Sequence, residues 1–184
     1  GVFEGSWYHY PPVKTKLSDI QNVDAIYISH LHPDHFDERY FEFSKDIPLI
    51  VLNEEPNFLK KKLIKMGYNN LIEIKNDETV KFNEFNLTAY KPFVKHQYEE
   101  SILGDLIDSA LVLNDNNITA INFNDNVPDV KACTFLREKF KQIDLVMVNY
   151  NSAGPYPSCF DNLNVKEKKK EHNRISMRNL EYLC

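Results

Sequence analysis

The sequence predicts a mixed α/β layered domain, and three features carry that expectation. Short Ile-, Leu- and Val-rich runs at 24–29, 48–53 and 143–149 read as buried strands. Helical patterns at 56–67 and 127–141 alternate with such runs. Two further strand-like runs flank the turn signal "DNN" (115–117) and read as a hairpin set between the helices. At 184 residues, 42% of them hydrophobic, the chain is long enough for one domain with its own core and short for two.

Taken in order, "DAIYIS" (24–29) is an apolar run closed by a histidine-rich segment. "HFDERYFEFSK" (35–45) is expected to leave that segment as a short helix. "PLIVLN" (48–53) opens with Pro48, which a strand tolerates at its first position. In "PNFLKKKLIKMG" (56–67), Pro56 suits a first turn, lysines crowd the C-terminal half, and Gly67 suits the left-handed residue after a helix. "LIEIK" (71–75), "TVKF" (79–82) and "FNLTAYK" (85–91) follow, the last alternating like a half-exposed strand. "SALVLN" (109–114) and "ITAINFN" (118–124) form the hairpin. "VPDVKACTFLREKFK" (127–141) reads as a helix, "IDLVMVN" (143–149) as a buried strand and 166–183 as a last helix with a basic first half.

Composition removes several function classes. Twenty-seven acidic residues against 22 basic ones give a net charge of −5, which argues against a nucleic-acid surface. No apolar run reaches the roughly 18–20 residues a membrane-spanning helix needs. The three cysteines, Cys133, Cys159 and Cys184, are scattered and odd in number, so the sequence predicts a reducing, cytoplasmic setting without a disulfide framework. None belongs to a Cys-x-x-Cys or Cys-x-His pair, which excludes a zinc ribbon or a Rieske centre built on this chain.

The chemistry concentrates in "SHLHPDHFD" (29–37), which holds three of the six histidines. On an extended segment His30 and His32 point to one side. Pro33 then turns the chain, so that Asp34 and His35 can approach from another direction. Imidazole nitrogens and carboxylate oxygens at the end of a buried strand are the donors that zinc and related ions favour.

The segment "HLHPDH" (30–35) resembles the signature of the metallo-β-lactamase fold, and the resemblance extends over essentially the whole chain. It implies an α/β, metallo-β-lactamase-like αββα sandwich occupying residues 1–184. It also implies two divalent metal ions, zinc first and manganese or iron as alternatives. His30 and His32 match the first-metal pair, and Asp34 and His35 match the second. His96, in "KPFVKHQYEES", matches the later histidine of the first site. Asp125, ending an apolar strand in "INFNDN", matches the bridging aspartate, ahead of the rivals Asp115 and Asp129. His172 sits in the charged run "EKKKEHNRIS" and reads as a helix face, and His9 reads as part of an aromatic loop.

Five segments taken together resemble CMP-N-acetylneuraminate hydroxylase-like and ascorbate-6-phosphate lactonase-like members: "GSWYHYPP", "VDAIYISHLHPDHFD", "LIDSALVLND", "INFNDN" and "NYNSAGPYPSCF". Against that group's pattern the chain begins inside the aromatic loop and ends before the strand that delivers a final histidine. The resemblance therefore implies a domain fragment with its second site one ligand short.

Two ions holding a shared water lower its pKa and stabilise a developing oxyanion. The expected function is therefore hydrolysis of an ester, lactone or phosphodiester, possible substrates being sugars or sugar phosphates. Asp34 serves as ligand and as the group that orients the water. Trp7, Tyr8 and Tyr156 are the candidate contacts for a small, anionic substrate. The alternative is a degenerate, non-catalytic metal-binding domain acting within a larger protein. Oligomeric state is left open.

Overall fold

The computed structural model describes residues 12, 14–15, 19, 22–39, 41–93, 108–149, 157 and 159–181. Eight strands and three helices are described: β1 (Ile26–Tyr27), β2 (Leu49–Leu52), α1 (Phe58–Lys65), β3 (Leu71–Ile74), β4 (Thr79–Phe82), β5 (Phe85–Tyr90), β6 (Ala110–Asn114), β7 (Thr119–Asn122), α2 (Val130–Phe140), β8 (Leu145–Met147) and α3 (Val165–Glu181). The strands form two sheets. One is parallel, in the order β1-β2-β3. The other runs β4-β5-β6-β7-β8 and is antiparallel except at the β7–β8 pair.

Strand periodicity turns these sheets into layers. Side chains of successive strand residues point to opposite faces. Leu49 and Val51 of β2 pack on one face with Leu59 and Leu63 of α1, while Ile50 and Leu52 pack on the other with Leu87, Ala89 and Leu111 of the second sheet. The second sheet repeats the division, since Tyr90, Ala110, Val112 and Ile121 face Leu136 of α2. The order of layers is helix, sheet, sheet, helix.

Helix α1 is too short to persist alone, because nucleation outweighs so few hydrogen bonds. Asn57 caps it by accepting the Lys60 N–H at 2.9 Å, and Leu59 and Leu63 bury its inner face. Its end forms a two-bond cap: Tyr68 N–H reaches the Leu63 carbonyl and Gly67 N–H the Ile64 carbonyl, each at 2.9 Å. Gly67 has φ +86°, as its place after the helix predicts, and Pro56 lies just ahead of the capping residue. Helix α2 starts at Asp129, whose carboxylate accepts the Ala132 N–H at 2.8 Å. At the start of α3, Asn164 and Glu167 exchange side-chain-to-backbone bonds in a capping box.

Three expectations are corrected. Residues 35–39 and 41–45 form turns and irregular chain, not a helix. The carbonyls of Phe41 and Phe43 each accept from the buried Tyr68 hydroxyl at 3.0 Å, and Phe41 stacks against Phe36, Phe43 and Tyr68. Tertiary aromatic packing takes the groups a helix would use. Strand β5 is not half-exposed: Leu87, Thr88, Ala89 and Tyr90 are all buried, because both faces of its sheet are covered there. Its Thr88 hydroxyl is satisfied by Thr79 at 2.8 Å. Strand β8 is not buried, with Leu145, Val146 and Met147 exposed by 51%, 39% and 41%. It pairs only with β7 among the described residues, so apolar composition marked the strand without marking what covers it.

No described helix is long and apolar enough to cross a membrane.

Candidate metal centre

The histidine segment grows directly out of the parallel sheet. Ile28 N–H bonds the Ile50 carbonyl at 3.1 Å, which keeps the chain extended up to Ser29. The His32 carbonyl then accepts from both His35 and Phe36, at 2.9 and 2.8 Å, closing a turn over Pro33 and Asp34. Phe36 is buried in the α1 core and anchors the turn. Asp34 and His35 are thereby folded back towards His30.

Asp125 arrives from the other sheet. Phe123 N–H bonds the Met147 carbonyl at 2.8 Å, and Asn124 takes a left-handed conformation at φ +50° that turns the chain out of β7. The buried Asn126 holds this corner against the end of β5, accepting from Phe93 N–H at 2.9 Å and donating to the Lys91 carbonyl at 3.2 Å.

The resulting geometry brings five of the expected residues together. His30 Nε2 lies 2.6 Å from His32 Nδ1 and 3.9 Å from Asp125 Oδ2. His35 Nε2 lies 3.1 Å from Asp125 Oδ2 and 3.5 Å from Asp34 Oδ2. Two donor groups result, His30–His32–Asp125 and Asp34–His35–Asp125, with the donor atoms of each within 4.8 Å of one another. Nitrogen and oxygen donors about 2 Å from one ion stand roughly 3–4 Å apart, so each group spans a distance that one divalent ion could bridge. Asp125 is common to both. His96, Trp7, Tyr8 and Tyr156 lie outside the described residues, as does His9. His172 lies on α3 and belongs to neither donor group.

The rival aspartates have other work. Asp115 accepts the Asn117 and Ile118 N–H groups in the hairpin turn, and Asp129 caps α2.

The electrostatics follow from the contacts. The hydrogen bond from His35 holds the Asp125 carboxyl at about 2. The same bond raises His35 above the ordinary histidine value. Burial, aided by neighbouring His30, lowers His32 and favours its neutral form, the form that donates a lone pair to a cation.

Four residues around the centre escaped the sequence reading as site residues. Asp108 Oδ1 lies 3.2 Å from His30 Nδ1, on the ring edge facing away from His32. Ser109 donates its N–H to the same oxygen at 2.7 Å and its hydroxyl to the Ser29 carbonyl at 2.8 Å. The Tyr27 hydroxyl donates to the Ser109 carbonyl at 2.8 Å. Asn149 donates to Asp125 Oδ1 at 2.8 Å. An Asp-Ser pair just ahead of the apolar run 110–114 was the one sequence signal for the first two, and it does not identify a partner. A buried histidine whose second nitrogen meets a carboxylate is the arrangement that orients metal-binding imidazoles, so the residues present fit a metal centre.

Comparison with known proteins agrees with the architecture. No family model matches the chain. A protein of Mycolicibacterium smegmatis that carries the name of a Rieske 2Fe-2S iron-sulfur protein is 30% identical over 164 residues, 87% of this chain and 31% of that protein. The chain thus spans less than a third of the length of the curated relatives it matches. Among solved structures, an isothiocyanate hydrolase from Delia radicum gut bacteria superposes with a TM-score of 0.65 at 20% identity, covering 94% of this chain and 63% of that one. CmlA, a diiron β-hydroxylase from Streptomyces venezuelae, gives 0.61 at 16% identity, covering 90% of this chain and 35% of that one. The fold is the α/β, metallo-β-lactamase-like sandwich that the histidine motif implies.

Proposed function

We propose that this domain, sharing its fold with a hydrolase and a diiron hydroxylase, is a metal-dependent hydrolase acting on an ester, lactone or phosphodiester. The observation that carries the reading is the shared aspartate: Asp125 belongs to both donor groups, one with His30 and His32, the other with Asp34 and His35. In this reading each group holds one divalent ion, zinc first, and His96 completes the first. Support for His96 comes from both flanks of its segment. Phe93 is tied to Asn126 beside Asp125, and Asp108 is tied to His30.

When bound, such ions supply a water of lowered pKa and positive charge against a developing oxyanion. The protein's own residues do the positioning. Asp125 is held at Oδ1 by the Asn149 amide at 2.8 Å, which leaves Oδ2 towards His35 and the other donor atoms. Asp34 is exposed and has one oxygen towards His35, which leaves it able to accept a proton from the attacking water. Trp7, Tyr8 and Tyr156 are assigned to the substrate side, and an anionic small molecule is the expected ligand class. The hydroxylase-like and lactonase-like subgroup remains the guide to substrates with sugar character.

The test is hydrolysis of a panel of esters, lactones and phosphodiesters by zinc-loaded protein, beside His30→Ala/His32→Ala. Turnover of one class, abolished in the double variant and by chelation, supports the reading. Metal uptake with no turnover of any class supports the non-catalytic alternative.

A further inference from the structure

We propose that Asp108 and Ser109, at the entrance to β6, are positioning residues that decide which nitrogen of His30 is bare and faces the donor cluster. The inference rests on the metal-holding reading above and extends it to residues that touch no ion.

His30 is 1% exposed, and its two nitrogens face different partners. Nε2 looks towards His32 and Asp125. Nδ1 looks towards Ser29 Oγ at 2.9 Å and Asp108 Oδ1 at 3.2 Å. A neutral imidazole carries one hydrogen, so Nε2 can offer its lone pair to a cation only when Nδ1 is protonated. The Ser29 hydroxyl donates or accepts equally well and is indifferent to this choice. A carboxylate accepts only. The oxygen that faces His30 already accepts the Ser109 N–H at 2.7 Å, so a bare Nδ1 would set its lone pair against that acceptor in a buried space. Asp108 therefore selects the Nδ1–H form, which leaves Nε2 free to bind.

Asp108 is itself held in place. Ser109 donates its backbone N–H to the oxygen that faces His30, and its hydroxyl donates to the Ser29 carbonyl. The Tyr27 hydroxyl reaches both the carbonyl and the hydroxyl of Ser109, at 2.8 and 2.7 Å. Ser109 is fully buried, and these bonds join the end of β1 to the start of β6 across 80 residues of sequence. The same knot thus fixes the backbone at Ser29 and the acceptor behind His30. Asp108 Oδ2, meanwhile, is buried with no hydrogen-bond partner among the described residues. A half-satisfied buried carboxylate costs stability, which fits a residue retained for the histidine it orients.

The experiment combines a spectroscopic and a binding readout on the full chain. Two-bond 1H–15N correlation spectra of metal-free protein at pH 8 report the His30 tautomer. Competition with a chromophoric chelator reports zinc affinity for wild type, Asp108→Asn and Ser109→Ala. The expected result is the Nδ1–H tautomer in wild type. Asp108→Asn, whose amide can also donate, should give mixed tautomers and zinc binding weaker by roughly 10- to 100-fold. Ser109→Ala should fall between the two. An Nε2–H tautomer in wild type overturns the proposal even if Asp108→Asn does not fold. Unchanged tautomer and affinity in Asp108→Asn overturn it as well, while leaving the metal reading standing. A wild-type chain that takes up no zinc overturns the metal reading itself.

Discussion

His35 Nε2 and Asp125 Oδ2 lie 3.1 Å apart, although one stands on a turn beyond the parallel sheet and the other at a corner beyond β7. This contact closes the donor cluster across the sandwich. It also gives the metal-free protein a dependence on pH that can be measured.

Both partners are shifted, in opposite directions. Asp125 is depressed from 3.8 to about 2, so its contribution to stability is present above 3.8 and lost as pH falls towards 2. His35 is raised above 6.5, so its contribution is complete below 6.5 and lost as pH rises through the folded value. Chelator-treated protein is therefore expected to gain most from this pair between about pH 4 and 6.5. The gain is on the order of 1 kcal/mol, since the 35% exposure of the Asp125 side chain admits solvent screening. Melting curves from pH 5 to 9 check it. The decline above 6.5 should be smaller in His35→Gln, and an identical decline in both proteins would contradict the assignment.

Asp129→Ala separates structural from metal-holding aspartates. Asp129 caps α2 through the Ala132 N–H. Its loss is expected to cost about 1 kcal/mol in chemical denaturation while leaving metal content unchanged. A fall in bound metal would return Asp129 to the ligand candidates.

Tyr68→Phe tests the packing beneath the histidine turn. The Tyr68 ring stays in the core, but the Phe41 and Phe43 carbonyls lose their shared donor. A loss of about 1–3 kcal/mol is expected in urea denaturation, with metal content retained. A loss below measurement error would show that water replaces the hydroxyl at no cost.

The candidate donors that were legible in the sequence are those whose meaning is local. His30, His32, Asp34 and His35 fall within one short segment after an apolar run, so spacing alone suggests convergence. Asp125 was legible through the family resemblance, as the aspartate that ends an apolar strand, while its rivals sit in a turn and at a helix start. Asp108 and Ser109 were not legible as site residues, because their role depends on β6 starting beside the end of β1. The sequence specifies each strand but not that adjacency. The irregular path at 35–39 and 41–45 had the same cause: Phe41 and Phe43 gain more from Tyr68 and Phe36 than from a helix of their own. At β8, apolar residues predicted a strand correctly, but burial depends on neighbours that strand periodicity does not name.

The central claim, a paired metal centre built around Asp125, is tested most directly by metal content per chain in wild type and Asp125→Asn. Protein purified without chelator and loaded with zinc is expected to retain about two equivalents in wild type and fewer than one in the variant. A folded wild-type chain that retains none, or a variant that still holds two, would contradict it.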